Sequence, residues 1–122
     1  MSNLLLDSNI IIGVVKNRFP VSKLEKFSLI VSEITRLEIF GYHKLGKQEE
    51  ELLTRFFTNV ECLSVTKTII DQAIQLRKQK SMSVGDAIIA ATAKKHDFPL
   101  MTANTKDFKH LDQLEVINPL EN

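Results

Sequence analysis

The sequence predicts an α/β fold with a central parallel sheet of four to five strands and helices on both faces. Short apolar runs alternate with longer periodic segments along the whole chain, the pattern of strands joined by helical crossovers. The scattered glycines, Gly13, Gly41, Gly46 and Gly85, form no linker, and no repeat or low-complexity tract divides the chain. At 122 residues the chain fits one domain, residues 1–122. Such a chain buries roughly two-thirds of its unfolded surface, enough for a core without staples.

Residues 3–6 are a short apolar run and read as a buried strand. Residues 8–16 follow as a helix despite their β-branched content; apolar nearly all round, it should be well buried. Pro20 opens a short helix over 21–27, at a favoured first-turn position. Residues 28–31, SLIV, form the second strand, and Ser32 begins a helix to about Tyr42. Residues 47–57 make a charged amphipathic helix, and 60–65 a third strand. Thr66 caps a helix to about Gln79, with Ile69, Ile70, Ala73, Ile74 and Arg77 at helical spacing. After a loop at 80–83, residues 84–96 form a helix rich in small apolar residues. PLMT at 99–102 is a fourth strand, 105–111 a short helix or turn, and 115–117 a last short strand.

Composition excludes several classes. Hydrophobic residues make up 43% and charged residues 25%, as in an ordinary soluble globular domain. Cys62 is the single cysteine, so neither an internal disulfide nor a thiolate zinc site can form, and a cytoplasmic setting is the default. The apolar start is no signal peptide: no basic residue precedes it, Asp7 interrupts it, and no small-residue cleavage site follows. Nothing approaches the ~20 apolar residues of a membrane span. The net charge of +1 is neutral on nucleic acid. Basic residues do cluster at Arg77, Lys78 and Lys80, at Lys94, Lys95 and His96, and at Lys106, Lys109 and His110. Each cluster is either part of a binding patch or a solvated helix surface.

Three acids sit where charge is unexpected. Asp7 follows the leucine run at the carboxyl end of the first strand. Glu38 falls in the stripe Ile34, Leu37, Glu38, Gly41, whose spacing should turn it inward. Asp86 opens the helix VGDAIIAATA, apolar enough to bury it. Each has a plainer structural use. Asp7 fits a cap for the next helix. Asp86 follows Ser83 by three residues, as Asp107 follows Asn104, and both fit helix starts. Glu38 fits a boundary position on a helix rotated slightly outward. Those uses still bring the residues together, because caps that follow strands lie at the carboxyl edge of a parallel sheet, where ligands bind. If the first and fourth strands are neighbours, the acids converge there and repel. A cation would neutralise them, and an all-oxygen ligand set points to Mg²⁺ or Mn²⁺.

The motifs carrying these acids resemble those of the PIN-domain nucleases, and within them the VapC toxins of toxin–antitoxin pairs. LLLDSNIII is similar to the family's first-strand motif, TRLEIFGY to its second, and SVGDAIIAATAKKHDFPLMTANTKDF to its third and fourth run together. The resemblance covers essentially the whole chain. It implies a PIN-like, Rossmann-like sheet of order 3-2-1-4-5, with Asp7, Glu38 and Asp86 as the three acidic positions. The fourth is open between Asn104 and Asp107, since many members carry Asp at the position of Asn104 and others read T-x-N-x-x-D-F, as here. The resemblance further implies Mg²⁺- or Mn²⁺-dependent endoribonuclease chemistry with 5′-phosphate and 3′-hydroxyl products. Asp7 and Asp86 would ligate metal directly; Glu38 would ligate a second ion or orient water; Ser8 and Thr102 would support from behind. A VapB-like antitoxin and a homodimer are implied as partners. Apolar residues of 32–57 (Ile39, Phe40, Leu52, Leu53, Phe56, Phe57) exceed one core face and offer such interfaces.

Three other readings differ at testable points. A receiver domain of a response regulator needs an acid at the end of the third strand, where Ser64-Val65-Thr66 has none. A non-catalytic RNA-binding module of the same fold would lack a carboxylate, and three are intact. A PIN nuclease of RNA processing outside toxin–antitoxin systems shares every motif above.

Overall fold

The computed structural model describes residues 2–120. Its strands are β1 (Ser2–Leu6), β2 (Phe27–Ser32), β3 (Glu61–Leu63), β4 (Leu100–Met101) and β5 (Val116–Ile117). Its helices are α1 (Ser8–Val15), α2 (Glu33–Phe40), α3 (Lys47–Thr58), α4 (Lys67–Gln79) and α5 (Val84–His96). The strands form one sheet in the order β3-β2-β1-β4-β5, every pairing parallel. The predicted fold class and the order implied by resemblance are both observed.

Leu4, Leu5 and Leu6 are all fully buried because helices cover both faces of β1. Successive side chains of a strand point to opposite faces. Leu5 therefore joins Ile30 and Leu100 against α4 and α5. Leu4 and Leu6 join Val31 and Met101 against α1 and α3. Each such leucine stabilises the fold by about 1.5–3 kcal/mol relative to an exposed one. α5 fits tightly on its face because its buried run, Ala87 to Ala93, is mostly alanine and isoleucine.

Three expectations need correction. The helix expected over 21–27 is a single 3-10 turn, Val21–Lys23, and Phe27 already belongs to β2. A segment this short gains too few hydrogen bonds to offset helix nucleation, and within the turn and its cap only Leu24 is buried. The segment at 105–111, expected as a short helix or turn, does hold one 3-10 turn, Thr105–Asp107. The third strand is shorter than 60–65 and pairs only at Glu61, Cys62 and Leu63. Finally, α2 is rotated outward. It buries Thr35 and Ile39, whereas Leu37 is 67% exposed and Glu38 and Gly41 are exposed. Ile39 carries more apolar surface than Gly41, so its stripe wins the core.

Ile39 and Leu53 are core residues, and Phe40, Phe56 and Phe57 pack partly buried beside them. Of the apolar excess expected over 32–57, Leu52 stays exposed, together with Leu37 and Tyr42. Among the described residues no helix is long and apolar enough to cross a membrane.

Candidate active site

The parallel pairing of β1 with β4, Leu6 opposite Met101, sets two chain crossings side by side at the carboxyl edge. The ladder continues one step further, with Asp7 N–H donating to the Met101 carbonyl at 3.1 Å. Asp7 is buried, at 6% exposure, and every contact it makes is local to this edge. Its Oδ1 accepts from Ser8 N–H at 2.8 Å, capping α1. Its Oδ2 accepts from the Thr102 hydroxyl at 2.8 Å and from the Asn9 amide at 3.4 Å. The Asn9 amide oxygen in turn accepts from Ala103 N–H at 3.3 Å. Asn9 thus ties the end of β1 to the end of β4. One Asp7 oxygen thus caps α1 while the other faces the end of β4.

Asp86 lies in the first turn of α5, where Ser83 caps the helix by accepting from Asp86 N–H at 3.1 Å. It is half-buried rather than fully buried, because the closed stretch of α5 starts at Ala87, one residue on. Burial pushes its carboxyl above the ordinary value, and the charge of Asp7 adds to that. The Ser83 hydroxyl works in the opposite direction, and Asp107 raises it further.

Glu38 reaches the same place from α2. The residue is exposed overall, yet its carboxyl end lies over Gly85, where a Cβ would land on it. Its carboxyl is raised by burial first, then by the charges of Asp7 and Asp86. The geometry therefore brings Asp7, Glu38 and Asp86 within each other's electrostatic reach. Asp107, exposed on its 3-10 turn, reaches Asp86 through its charge. Asn104 takes part through its backbone: its N–H donates to the Thr102 hydroxyl at 3.1 Å and its carbonyl accepts from Asp107 N–H.

Among the described residues no ion pair engages these acids: the pairs are Lys16–Glu49, Arg36–Glu33 and Lys67–Asp71. Nor, among those residues, are three acidic, histidine or cysteine side chains closed into a ready-made cage. Like charges with nothing to neutralise them stand apart. An all-oxygen donor set, partly desolvated and short of positive charge, fits a hard divalent cation.

Ser8 contributes its backbone N–H, whereas Thr102 contributes its hydroxyl. Two participants escaped the sequence reading. Asn9 was signalled only by its place two residues after Asp7. Gly85 was signalled by being a poor helix former in a first turn. The basic clusters divide: Arg77 donates to the Met82 carbonyl at 3.0 Å and braces the α4–α5 turn. His110 is turned inward, with neither ring nitrogen hydrogen-bonded.

An open parallel sheet with acids gathered at its carboxyl edge places the chain in the class of Rossmann-like α/β domains. Residues 4–114 match the family model described as PIN domain. The chain belongs to the PIN-domain family. It is 37% identical over 68 residues to "Ribonuclease VapC" of Rickettsia bellii, covering 56% of this chain and 49% of that protein. That match spans about half of the relative's length. It is 27% identical over 128 aligned positions to "Ribonuclease VapC1" of Rickettsia felis, covering 93% and 94%. Among solved structures, a "Toxin-antitoxin complex from Klebsiella pneumoniae" superposes with a TM-score of 0.80 at 29% identity, covering 98% of this chain and 99% of that one.

Proposed function

We propose that this chain is a divalent-metal-dependent endoribonuclease and the toxin of a toxin–antitoxin pair. The observation that carries the reading is the cluster itself: Asp7, Glu38 and Asp86, drawn from three parts of the chain, meet at the sheet's carboxyl edge, where burial first and the charge of Asp7 second raise the proton affinity of both Glu38 and Asp86. The ribonuclease relatives and the toxin–antitoxin neighbour supply the substrate class and the biological setting. The site of action we propose is the cytoplasm, the default for a chain with a single cysteine and no disulfide framework.

Asp7 and Asp86 would hold the ion, Mg²⁺ or Mn²⁺, with Glu38 and Asp107 beside them and Asn104 shaping the turn. An ion bound there supplies the charge that polarises a phosphoryl oxygen and acidifies a water. The chain's own residues do the positioning. Thr102 and Asn9 fix the outward oxygen of Asp7, so its lone pairs point to one place. Ser83 favours the charged form of Asp86, the form able to bind a cation. Glu38 has the raised proton affinity and flexible reach suited to taking a proton from an attacking water. In-line attack leaves a 5′-phosphate and a 3′-hydroxyl.

The antitoxin, of the VapB kind, has an apolar landing area at hand. Leu37 and Tyr42 are exposed on and just beyond α2, and Leu37 is the neighbour of Glu38, so a segment docked there reaches the acids. A second copy of the chain completes the assembly as a homodimer, which light scattering of the purified protein measures.

Asp7→Asn and Asp86→Asn test the reading. Both proteins should stay folded, and both should lose Mn²⁺-dependent cleavage of RNA by about 10²-fold or more. Cleavage at the wild-type rate by either would remove the cluster from the mechanism.

A further inference from the structure

We propose that Gly85 is a positioning residue for Glu38: the side chain it lacks leaves the space in which the Glu38 carboxylate lies beside Asp86. The proposal rests on the reading of these acids as the working groups.

Gly85 is the second residue of α5, after the cap Ser83 and Val84. Nothing in its backbone calls for glycine, since among the described residues no glycine has a positive φ. Helix energetics argue against it, because glycine is among the poorest helix formers and α5 is otherwise rich in alanine. What remains is space. A Cβ on Gly85 would collide with Glu38 Oε2, with Cδ at 3.2 Å and Oε1 at 3.6 Å. Its three nearest atoms all belong to that one carboxyl group, which arrives from a different helix. The obstacle is the free end of a flexible side chain. An added methyl therefore displaces the carboxylate and spares the helix. The other tight glycines differ in kind: Gly13 makes room for the Phe19 ring, and Gly41 meets the Leu37 carbonyl of its own helix.

The experiment compares Gly85→Ala, Glu38→Ala and the double variant by thermal melting, by Mn²⁺ titration calorimetry and by RNA cleavage. Gly85→Ala is expected to melt at or above the wild-type temperature, because alanine favours the helix. It is expected to bind Mn²⁺ and to cleave RNA roughly 10-fold more weakly. In the Glu38→Ala background, Gly85→Ala should cost nothing further in either measurement. Shortening the acid is a second check: Gly85→Ala should cost Glu38→Asp less than it costs the wild type.

Gly85→Ala with wild-type Mn²⁺ affinity and turnover overturns the proposal. So does an equal loss in the Glu38→Ala background, or a melting temperature far below wild type, which would assign the space to helix packing. The outcomes separate the two levels of inference. If Glu38→Ala itself binds and cleaves normally, the reading of the site fails. If Glu38→Ala is impaired while Gly85→Ala is normal, only the positioning role fails.

Discussion

Asp7 shows how one residue serves structure and site together. Its Oδ1 caps α1, and its Oδ2 takes the hydroxyl of Thr102 across the sheet edge. Thr102→Val removes that hydroxyl at almost constant shape and leaves a buried carboxylate under-bonded. The cost expected in urea denaturation is about 1–3 kcal/mol, and cleavage should fall because Asp7 loses its fixed aim. At this scale the sequence was legible wherever a charge interrupted an apolar run, as at Asp7 and Asp86. It was misleading at Glu38, whose stripe suggested an inward face. Ile39 and Thr35 took the core instead, and Glu38 reaches the acids from the rim. Asn9 and Gly85 were illegible because their partners, Ala103 and Glu38, are distant in the chain. Of the two candidates for the fourth position, Asn104 bonds Thr102 through its backbone and Asp107 acts on Asp86 through its charge.

The elements most legible in sequence were those with a cap and a clear period. α4 and α5 begin where Thr66 and Ser83 predicted, each side chain accepting from the helix's first turn. Ser83→Ala should therefore cost about 1 kcal/mol in chemical denaturation. It should also raise the Asp86 proton affinity further, since the hydroxyl that restrains it is gone. The short elements were the weak ones. β4 and β5 have two residues each, too few for any alternation, and their existence is a tertiary fact: each is held by its neighbour's ladder. The turn after Pro20 failed as a helix for the same reason, with no long-range face large enough to extend it.

For the whole molecule, the cluster makes stability depend on pH, and the metal site we propose there makes it depend on cations. Glu38 and Asp86 both have proton affinities raised above the ordinary carboxylate range. The folded state therefore binds more protons than the unfolded chain between the ordinary values and the raised ones. Their contribution is fully present below the ordinary range and is lost as pH rises through the raised values. Melting of metal-free protein across that window should show the fall, and Glu38→Gln or Asp86→Asn should flatten it. Mn²⁺ at 100 times its Kd should restore about 2.7 kcal/mol near neutral pH. A melting temperature indifferent to Mn²⁺ would count against a metal site. At this scale the α/β class was legible from alternation alone. The strand order was not, because pairing between remote segments leaves no local mark; it came from family resemblance.

That remote pairing has a consequence in time. The bond between the Thr102 hydroxyl and Asp7 joins residues 95 apart in sequence. A ribosome adding roughly 5–20 residues per second takes on the order of ten seconds between them. Until β4 emerges, the Asp7 Oδ2 lacks the Thr102 hydroxyl that holds it from across the sheet edge. On the proposed reading of the site, an unfinished chain thus lacks an aligned Asp7, and the working cluster is completed late in its own synthesis.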